Sequence, residues 1–304
     1  MNKKFVYFLT NVASREWLKN ELAIYRPKLK FSYSRGGFVT FVNAESNGRP
    51  EDFTYLPVFA RHHGYSQTKG TREECVQYYE NTKSKFPLLD TTTATTTPKA
   101  PYYELIEVAE EEFFLGFVDH NESRFPLNDP KIELAENAPS RAYLKILEVD
   151  KIGNLKIGNQ DTVIEFGSSP GGAVYALLEK GATVFGVDTG EMDDICLKHP
   201  KFTWVKKSIQ ETQREDFQGV NIDWIISDMN LSPFAVFSEL KSFYERTLIS
   251  PKKGFILTLK MTKQDMIKDL DSFEDKLFKR GYQTILMKQL PSHHQEFAIV
   301  AVKR

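Results

Sequence analysis

From about Ala138 to the end of the chain, stretches rich in β-branched and aromatic residues alternate with stretches of helical spacing. "DTVIEFG", "ATVFGVD", "FTWVKK", "IDWIISDM" and "GFILTLK" read as strands. "APSRAYLKILEVDK", "GGAVYALLEK", "EMDDICLKH", "SPFAVFSELKSFYERTLI" and "TKQDMIKDLDSFEDKLFKRG" read as helices before and between them. This alternation predicts a mostly parallel sheet with helices on both faces. It breaks once, at the end. "YQTILMKQL" and "EFAIVAVKR" are joined only by "PSHHQ", far too little chain for a parallel crossover, so the last two strands must pair antiparallel.

The first part of the chain has a different character. "KFVYFLT" reads as a strand and "SREWLKNELAIY" as a helix with Ser14 as N-cap and Trp17, Leu18, Leu22 and Ile24 near one face. "GGFVTFV" reads as the returning strand, giving a β-α-β start. "PYYELIEVAEEEFFLGFVDH", residues 101–120, has two apolar runs flanking an acidic turn, as in a hairpin. "LDTTTATTTPKAP" favours extended surface chain, since threonine is β-branched and proline stops helices. The expected division is a smaller α+β domain over 1–130 and the α/β domain over 131–304; the chain's 304 residues suffice for two such cores.

Ligands of open α/β sheets bind beyond the carboxyl ends of the strands. There, after "VIEF", the chain runs Gly167-Ser168-Ser169-Pro170-Gly171-Gly172. The backbone amides of this turn open a helix and would face a ligand. Asp188 ends the next strand, about twenty residues on, where a carboxylate can accept the two hydroxyls of a ribose. That much suits either a nicotinamide dinucleotide or S-adenosylmethionine. The dinucleotide pattern G-x-G-x-x-G is missing. Glu165, next to the turn, would repel a pyrophosphate but suits an ammonium and a sulfonium, which favours S-adenosylmethionine. The plainer alternative is a glycine turn that only packs a helix close to a strand.

Three ionisable residues from distant stretches are expected on the same rim. Asp228 ends "IISDM" and Lys260 ends "LTLK". Because the last strand runs the opposite way, its first residue, Glu296, starts where the others stop. Lys145, in the helix before the first strand of this domain, joins them. Each alone reads as an ordinary solvated charge; four beside a cofactor turn read as chemistry. No histidine has metal-ligand spacing, and neither do Cys75 and Cys196.

Lys145, Asp228, Lys260 and Glu296, with "APSRAYLKILE", "SSPGG", "VDTG", "SDM" and "LTLK", resemble the Lys-Asp-Lys-Glu tetrad and motifs of the FtsJ-like RNA 2′-O-ribose methyltransferases, over about residues 112–304. "FFLGFVDHNESRFPLNDPKIELAENAPSRAYLKILE" is similar to the branch that methylates a cytidine ribose in large-subunit ribosomal RNA. The resemblance implies a Rossmann-like methyltransferase sheet, S-adenosylmethionine as cofactor, and RNA as partner. It also implies an N-terminal ferredoxin-like unit followed by a THUMP-like RNA-binding module, here shortened. Lys260 would take the proton of the ribose hydroxyl, Asp228 would orient Lys260, and Glu296 would hold Lys145. The cofactor set carried over is Ser140, Glu165, Gly167, Ser169, Pro170, Gly171, Gly172, Asp188, Ser208 and Asp228. Ser208 stands where the family often has an acid near the adenine.

Two rival classes remain: an RNA-binding protein that keeps the fold without turnover, and a nicotinamide-dependent oxidoreductase. The formal net charge of −1 counts mildly against a nucleic-acid partner, although local patches decide phosphate contact. Arg35, Arg61, Lys69 and Arg72 are the candidate phosphate contacts of the first domain. Two cysteines without pairing signals, no membrane-length apolar run and no secretory signal lead to the expectation of a cytoplasmic, metal-free protein, most simply a monomer.

Overall fold

A computed structural model describes residues 5–43, 56–120 and 123–304. The chain divides into two compact units, Met1–Pro130 and Lys131–Arg304.

The first unit is built on one sheet. Its elements are β1 (Phe5–Leu9), α1 (Arg15–Tyr25), β2 (Leu29–Arg35), β3 (Phe38–Asn43), β4 (His62–Gly70), α2 (Arg72–Asn81), β5 (Leu88–Asp90), β6 (Tyr102–Ala109) and β7 (Glu112–Val118). The strand order is β2-β3-β1-β4-β7-β6-β5. The expected hairpin is β6–β7. The expected β-α-β start is different in detail: α1 leads into β2, which was not expected, and β3 then returns antiparallel to β1. Helix α1 buries Trp17, Leu18 and Leu22, while Ile24 is exposed. Ser14 occupies the N-cap position, but its side chain makes no capping hydrogen bond. The threonine stretch is not all surface connection, because β5 begins it and Thr91 is buried, donating to the carbonyl of Leu105 at 2.7 Å. Helix α2 starts with a reciprocal Thr71–Glu74 capping box.

A buried polar cluster crosses this sheet. Tyr7 Oη donates to the Glu104 carboxylate, and His62 Nε2 lies 2.6 Å from the same oxygen. Gly64 and Gly116 make room for the tyrosine hydroxyl: a Cβ on either would come within 2.3 and 2.4 Å of it.

The second unit carries α3 (Ala142–Gly153), β8 (Thr162–Phe166), α4 (Gly172–Glu179), β9 (Thr183–Val187), α5 (Asp194–Leu197), β10 (Phe202–Val205), β11 (Trp224–Ser227), α6 (Pro233–Thr247), β12 (Gly254–Lys260), α7 (Leu270–Phe278), β13 (Tyr282–Lys288) and β14 (Glu296–Lys303). The order is β10-β9-β8-β11-β12-β14-β13. Strands β8 to β12 pair parallel, and β14 runs antiparallel between β12 and β13. This is the Rossmann-like sheet with a terminal antiparallel hairpin that the alternation predicts. Its parallel strands are buried on both faces, so they read as near-continuous apolar runs. Helices α3 and α4 close one face through Ile146, Val149, Val174 and Leu177. The order reverses at β8, whose neighbours are β9 and β11, so the ligand crevice lies at its carboxyl end.

We expect Gly116→Ala to destabilise the first unit by about 1–3 kcal/mol, the usual cost of overpacking a filled interior. Urea unfolding of the full chain should show a lower midpoint for the first unit's transition. An unchanged midpoint would mean that the Tyr7 hydroxyl moves aside freely.

Candidate active site

The carboxyl ends of the parallel strands open on a cavity of about 490 Å³. Ser140, Arg141 and Lys145 line it from α3 and its approach. Glu165, Gly167, Ser168 and Ser169 line it from the end of β8 and the turn after it, with Asp188, Asp228, Asn230 and Lys260 from the neighbouring strand ends. Ser292, His294 and Glu296 close it. A second cavity, about 350 Å³, shares Gly167, Asp188 and Asn230 and adds Lys207, Ser208 and Met229 among others. Asp188 therefore lines both cavities.

Four charged side chains meet in the first chamber. Lys145 Nζ lies 2.8 Å from Asp228 Oδ2 and 2.7 Å from Glu296 Oε1. Lys260 is the register partner of Glu296 across the β12–β14 pair. Its Nζ lies 3.4 Å from Asp228 Oδ1 and 3.4 Å from the Asp228 carbonyl oxygen. Asp228 Oδ1 accepts no hydrogen bond, so its attraction to Lys260 is Coulombic. Asp228 thus holds Lys145 more closely than it holds Lys260. Burial alone would lower the pKa of Lys145, but Asp228 and Glu296 outweigh it, and the net shift is upward. Lys145 is therefore a fixed cation.

Glu165 is fully buried, and its Oε2 has no hydrogen-bond partner. Burial, then the nearby Asp228 and Asp188 carboxylates, push its pKa well above the usual carboxylate range, against a smaller opposing pull from Lys145. Asp188 is oriented by backbone amides: Oδ2 accepts from Ser169 N at 3.0 Å and Oδ1 from Gly190 N at 2.7 Å. Each oxygen keeps a lone pair for a ligand hydroxyl.

The glycine turn is shaped by its packing. Gly167 has φ +79°, and a Cβ there would meet the Met229 amide nitrogen at 2.9 Å. Gly171 has φ +117°, and a Cβ would meet Cys196 Sγ at 2.7 Å. A Cβ on Gly172 would strike Ser140 Oγ. Pro170, Gly171 and Gly172 do not line either chamber; they set the turn that presents Gly167, Ser168 and Ser169. Ser208 lines the second chamber, but its hydroxyl and amide both donate to Glu211, at 2.7 and 2.9 Å. His293 is buried, whereas His294 is exposed on the rim. Arg141, Asn230 and Ser292 also line the first chamber and were not singled out from the sequence, although Arg141 lies within "APSRAYLKILE".

In the first unit, three of the four candidate phosphate contacts face acids. Arg35 lies 3.4 Å from Glu112, Arg61 3.8 Å from Asp129, and Arg72 2.6 Å from Asp90. Lys69 lies over the Tyr33 ring. Among the described residues, no group of three or more His, Cys, Asp or Glu side chains is arranged to hold a metal, and no helix is long and apolar enough to cross a membrane.

The family model of the FtsJ-like methyltransferases matches residues 138–301, more than half of the chain. The chain belongs to the FtsJ-like methyltransferase family. Among curated proteins it is similar to the ribosomal RNA large subunit methyltransferase M of Salmonella arizonae and that of Salmonella newport. Each is 24% identical over 220 residues, covering 68% of this chain and 58% of the relative. The chain therefore matches little more than half the length of these relatives. Among solved structures, the fibrillarin pre-rRNA processing protein of Methanococcus jannaschii superposes with a TM-score of 0.43 at 12% identity, over 66% of this chain and 82% of that one.

The family's cofactor, S-adenosylmethionine, fits the residues present. The unpartnered Glu165 oxygen suits the methionyl ammonium, and the open lone pairs of Asp188 suit the ribose hydroxyls. An ammonium beside Glu165 would favour its carboxylate, so binding should release a proton. Affinity should rise with pH from the ordinary carboxylate range up to the raised ionisation of Glu165, then level off. Calorimetry in buffers of different ionisation enthalpy should show this release in the wild type and its loss in Glu165→Gln. A wild-type enthalpy independent of buffer would contradict the assignment.

Proposed function

We propose that this chain transfers a methyl group from S-adenosylmethionine to a ribose 2′-hydroxyl of RNA, a cytidine of large-subunit ribosomal RNA, with Lys260 as proton acceptor. The observation that carries the reading is the Lys145–Asp228–Lys260–Glu296 cluster at the carboxyl ends of the strands, beside the Glu165–Asp188 pocket. The ribosomal RNA relatives support the choice of substrate.

When bound, the cofactor supplies a methyl made electrophilic by its sulfonium. A ribose hydroxyl is too weak an acid to ionise unaided, so a positioned base must take its proton. The two lysines differ in fitness for that task. Lys145 is committed to two short ion pairs that keep it protonated. Lys260 makes no short ion pair, lines the cavity and is partly exposed, so its amine can reach a hydroxyl placed there. Lys145 and Glu296 hold the Asp228 carboxylate in place, and Asp228 in turn keeps Lys260 at the cavity floor.

The first unit would hold RNA. Its order β2-β3-β1-β4 fits a ferredoxin-like sheet. The second crossover of such a unit would fall between β3 and β4, where residues 44–55 lie outside the described residues.

Single-turnover transfer to an unmodified large-subunit ribosomal RNA transcript tests this reading. We expect Lys260→Ala to bind cofactor normally yet lose at least on the order of a hundredfold in rate, the lower end of general-base contributions. Lys260→Arg should fail as well, because a guanidinium stays protonated. An active Lys260→Arg enzyme would remove Lys260 as the base, and a wild type inert on every RNA would remove the reading.

A further inference from the structure

Two segments bracket the second cavity. Ser208, Ile209 and Gln210 follow β10, and Met229, Asn230 and Leu231 follow β11. In the order β10-β9-β8-β11 these two strands flank β9 and β8, so the segments stand on either side of the cavity. The segment after β11 runs straight into α6 through its N-cap, Ser232. The segment after β10 is tied to the other end of the same helix.

That tie is Arg246, half-buried in the last turn of α6. Its Nε donates to the Thr212 carbonyl at 2.8 Å and its Nη2 to the Ile209 carbonyl at 2.6 Å, with Thr212 Oγ1 at 3.4 Å. Thr212 is fully buried, and its hydroxyl donates to the Ile209 carbonyl at 2.8 Å. Arg214 returns the tie by donating to the Thr247 carbonyl at 3.2 Å. The Ser208–Glu211 and Lys207–Asp216 bonds only fold the segment on itself. Phe217 packs edge to face on Phe243 of α6, which anchors the end of the segment away from the cavity. A buried carbonyl without a donor costs free energy, so the guanidinium holds the turn where both carbonyls are met. Helix α6 is therefore a strut of 15 residues. Its N-terminus carries one wall of the cavity and its C-terminal arginine holds the other.

We propose that Arg246 is a positioning residue for the base of the cofactor: it sets the width of the second cavity, and so the affinity for adenine, without touching the ligand. This rests on S-adenosylmethionine as the cofactor and not on the choice of RNA. Glu165 lines the first cavity and suits the ammonium, and Asp188 lines both and suits the ribose. The adenine, on the other side of the ribose from the methionine, then falls in the second cavity. A flat ring gains from two walls only where the gap matches its thickness, since a separation of about 0.5–1 Å already forfeits a quarter to a half of each contact. Ile209 on one side and Met229 and Leu231 on the other supply the apolar surface. The planar fork of arginine meets two carbonyls at once, which a lysine ammonium does less well.

The test compares two ligands on the full chain by competition calorimetry: S-adenosylhomocysteine, and S-ribosylhomocysteine, which lacks the adenine. The ratio of their affinities reports what the adenine contributes. Arg246→Met keeps the stem and removes the donors. It should weaken S-adenosylhomocysteine about tenfold and leave S-ribosylhomocysteine within about twofold of wild type, a loss the size of one charge-assisted contact confined to the base. A general structural defect would instead weaken both alike. Arg246→Lys, whose ammonium can still reach one carbonyl, should recover part of the ratio. Thr212→Val, which leaves the guanidinium in place, should lower the ratio less than Arg246→Met does. These two milder variants carry the reading if Arg246→Met does not fold. Equal losses for both ligands, or a ratio unchanged in the variants, overturn the proposal. A wild type that binds the two ligands equally takes the adenine out of the second cavity and overturns it as well. A wild type that binds no S-adenosylhomocysteine sinks the cofactor reading, and this inference with it.

Discussion

The second unit's site depends on one half-buried ammonium. Lys145 sits between Asp228 and Glu296, at 2.8 and 2.7 Å, and so ties α3 to the end of β11 and the start of β14. Three segments far apart in sequence are fixed to one point. Burying charges costs free energy unless each finds partners, and removing one member of such a set leaves the others uncompensated. Here Lys145 is held between two carboxylates, and Lys260 stands at the cavity floor without a short ion pair of its own.

The direction of β14 makes that arrangement possible. In an all-parallel sheet the first residue of the last strand would lie at the opposite edge from the catalytic rim. Because β14 runs antiparallel to β12, Glu296 sits directly across from Lys260. The short "PSHHQ" connection that forces the reversal also carries Ser292 and His294 to the cavity. The chemistry of the rim and the topology of the sheet therefore come from the same few residues.

Much of the second unit was legible in the sequence, because buried parallel strands leave continuous apolar runs and the missing final crossover fixes the hairpin. The convergence of Asp228, Lys260 and Glu296 follows from strand ends, and Lys145 joins them from the helix before β8. Finer geometry was not legible. That Asp228 sits closer to Lys145 than to Lys260 depends on side-chain packing that no spacing reveals. The glycines at 171 and 172 serve Cys196 and Ser140 rather than open ligand space, a distinction that only tertiary neighbours can make. The contact of Arg141 with His294 was not legible, because the two lie 153 residues apart. In the first unit β2 and β4 were missed. "LKFSYSR" and "HHGYSQTKG" are polar for strands, and pairing on both sides, not apolar content, holds β4 in its sheet. The capping box at Thr71–Glu74 was a readable signal for α2.

The position of the transferred methyl is the most direct measurement. RNA methylated by the full chain with labelled cofactor can be hydrolysed in alkali, which cleaves by attack of each 2′-hydroxyl on its neighbouring phosphate. We predict that the label stays in alkali-resistant dinucleotides, because a 2′-O-methyl group removes that nucleophile. Label released wholly in mononucleotides would place the methyl on a base and contradict the roles assigned here to Lys260, Asp228 and Lys145.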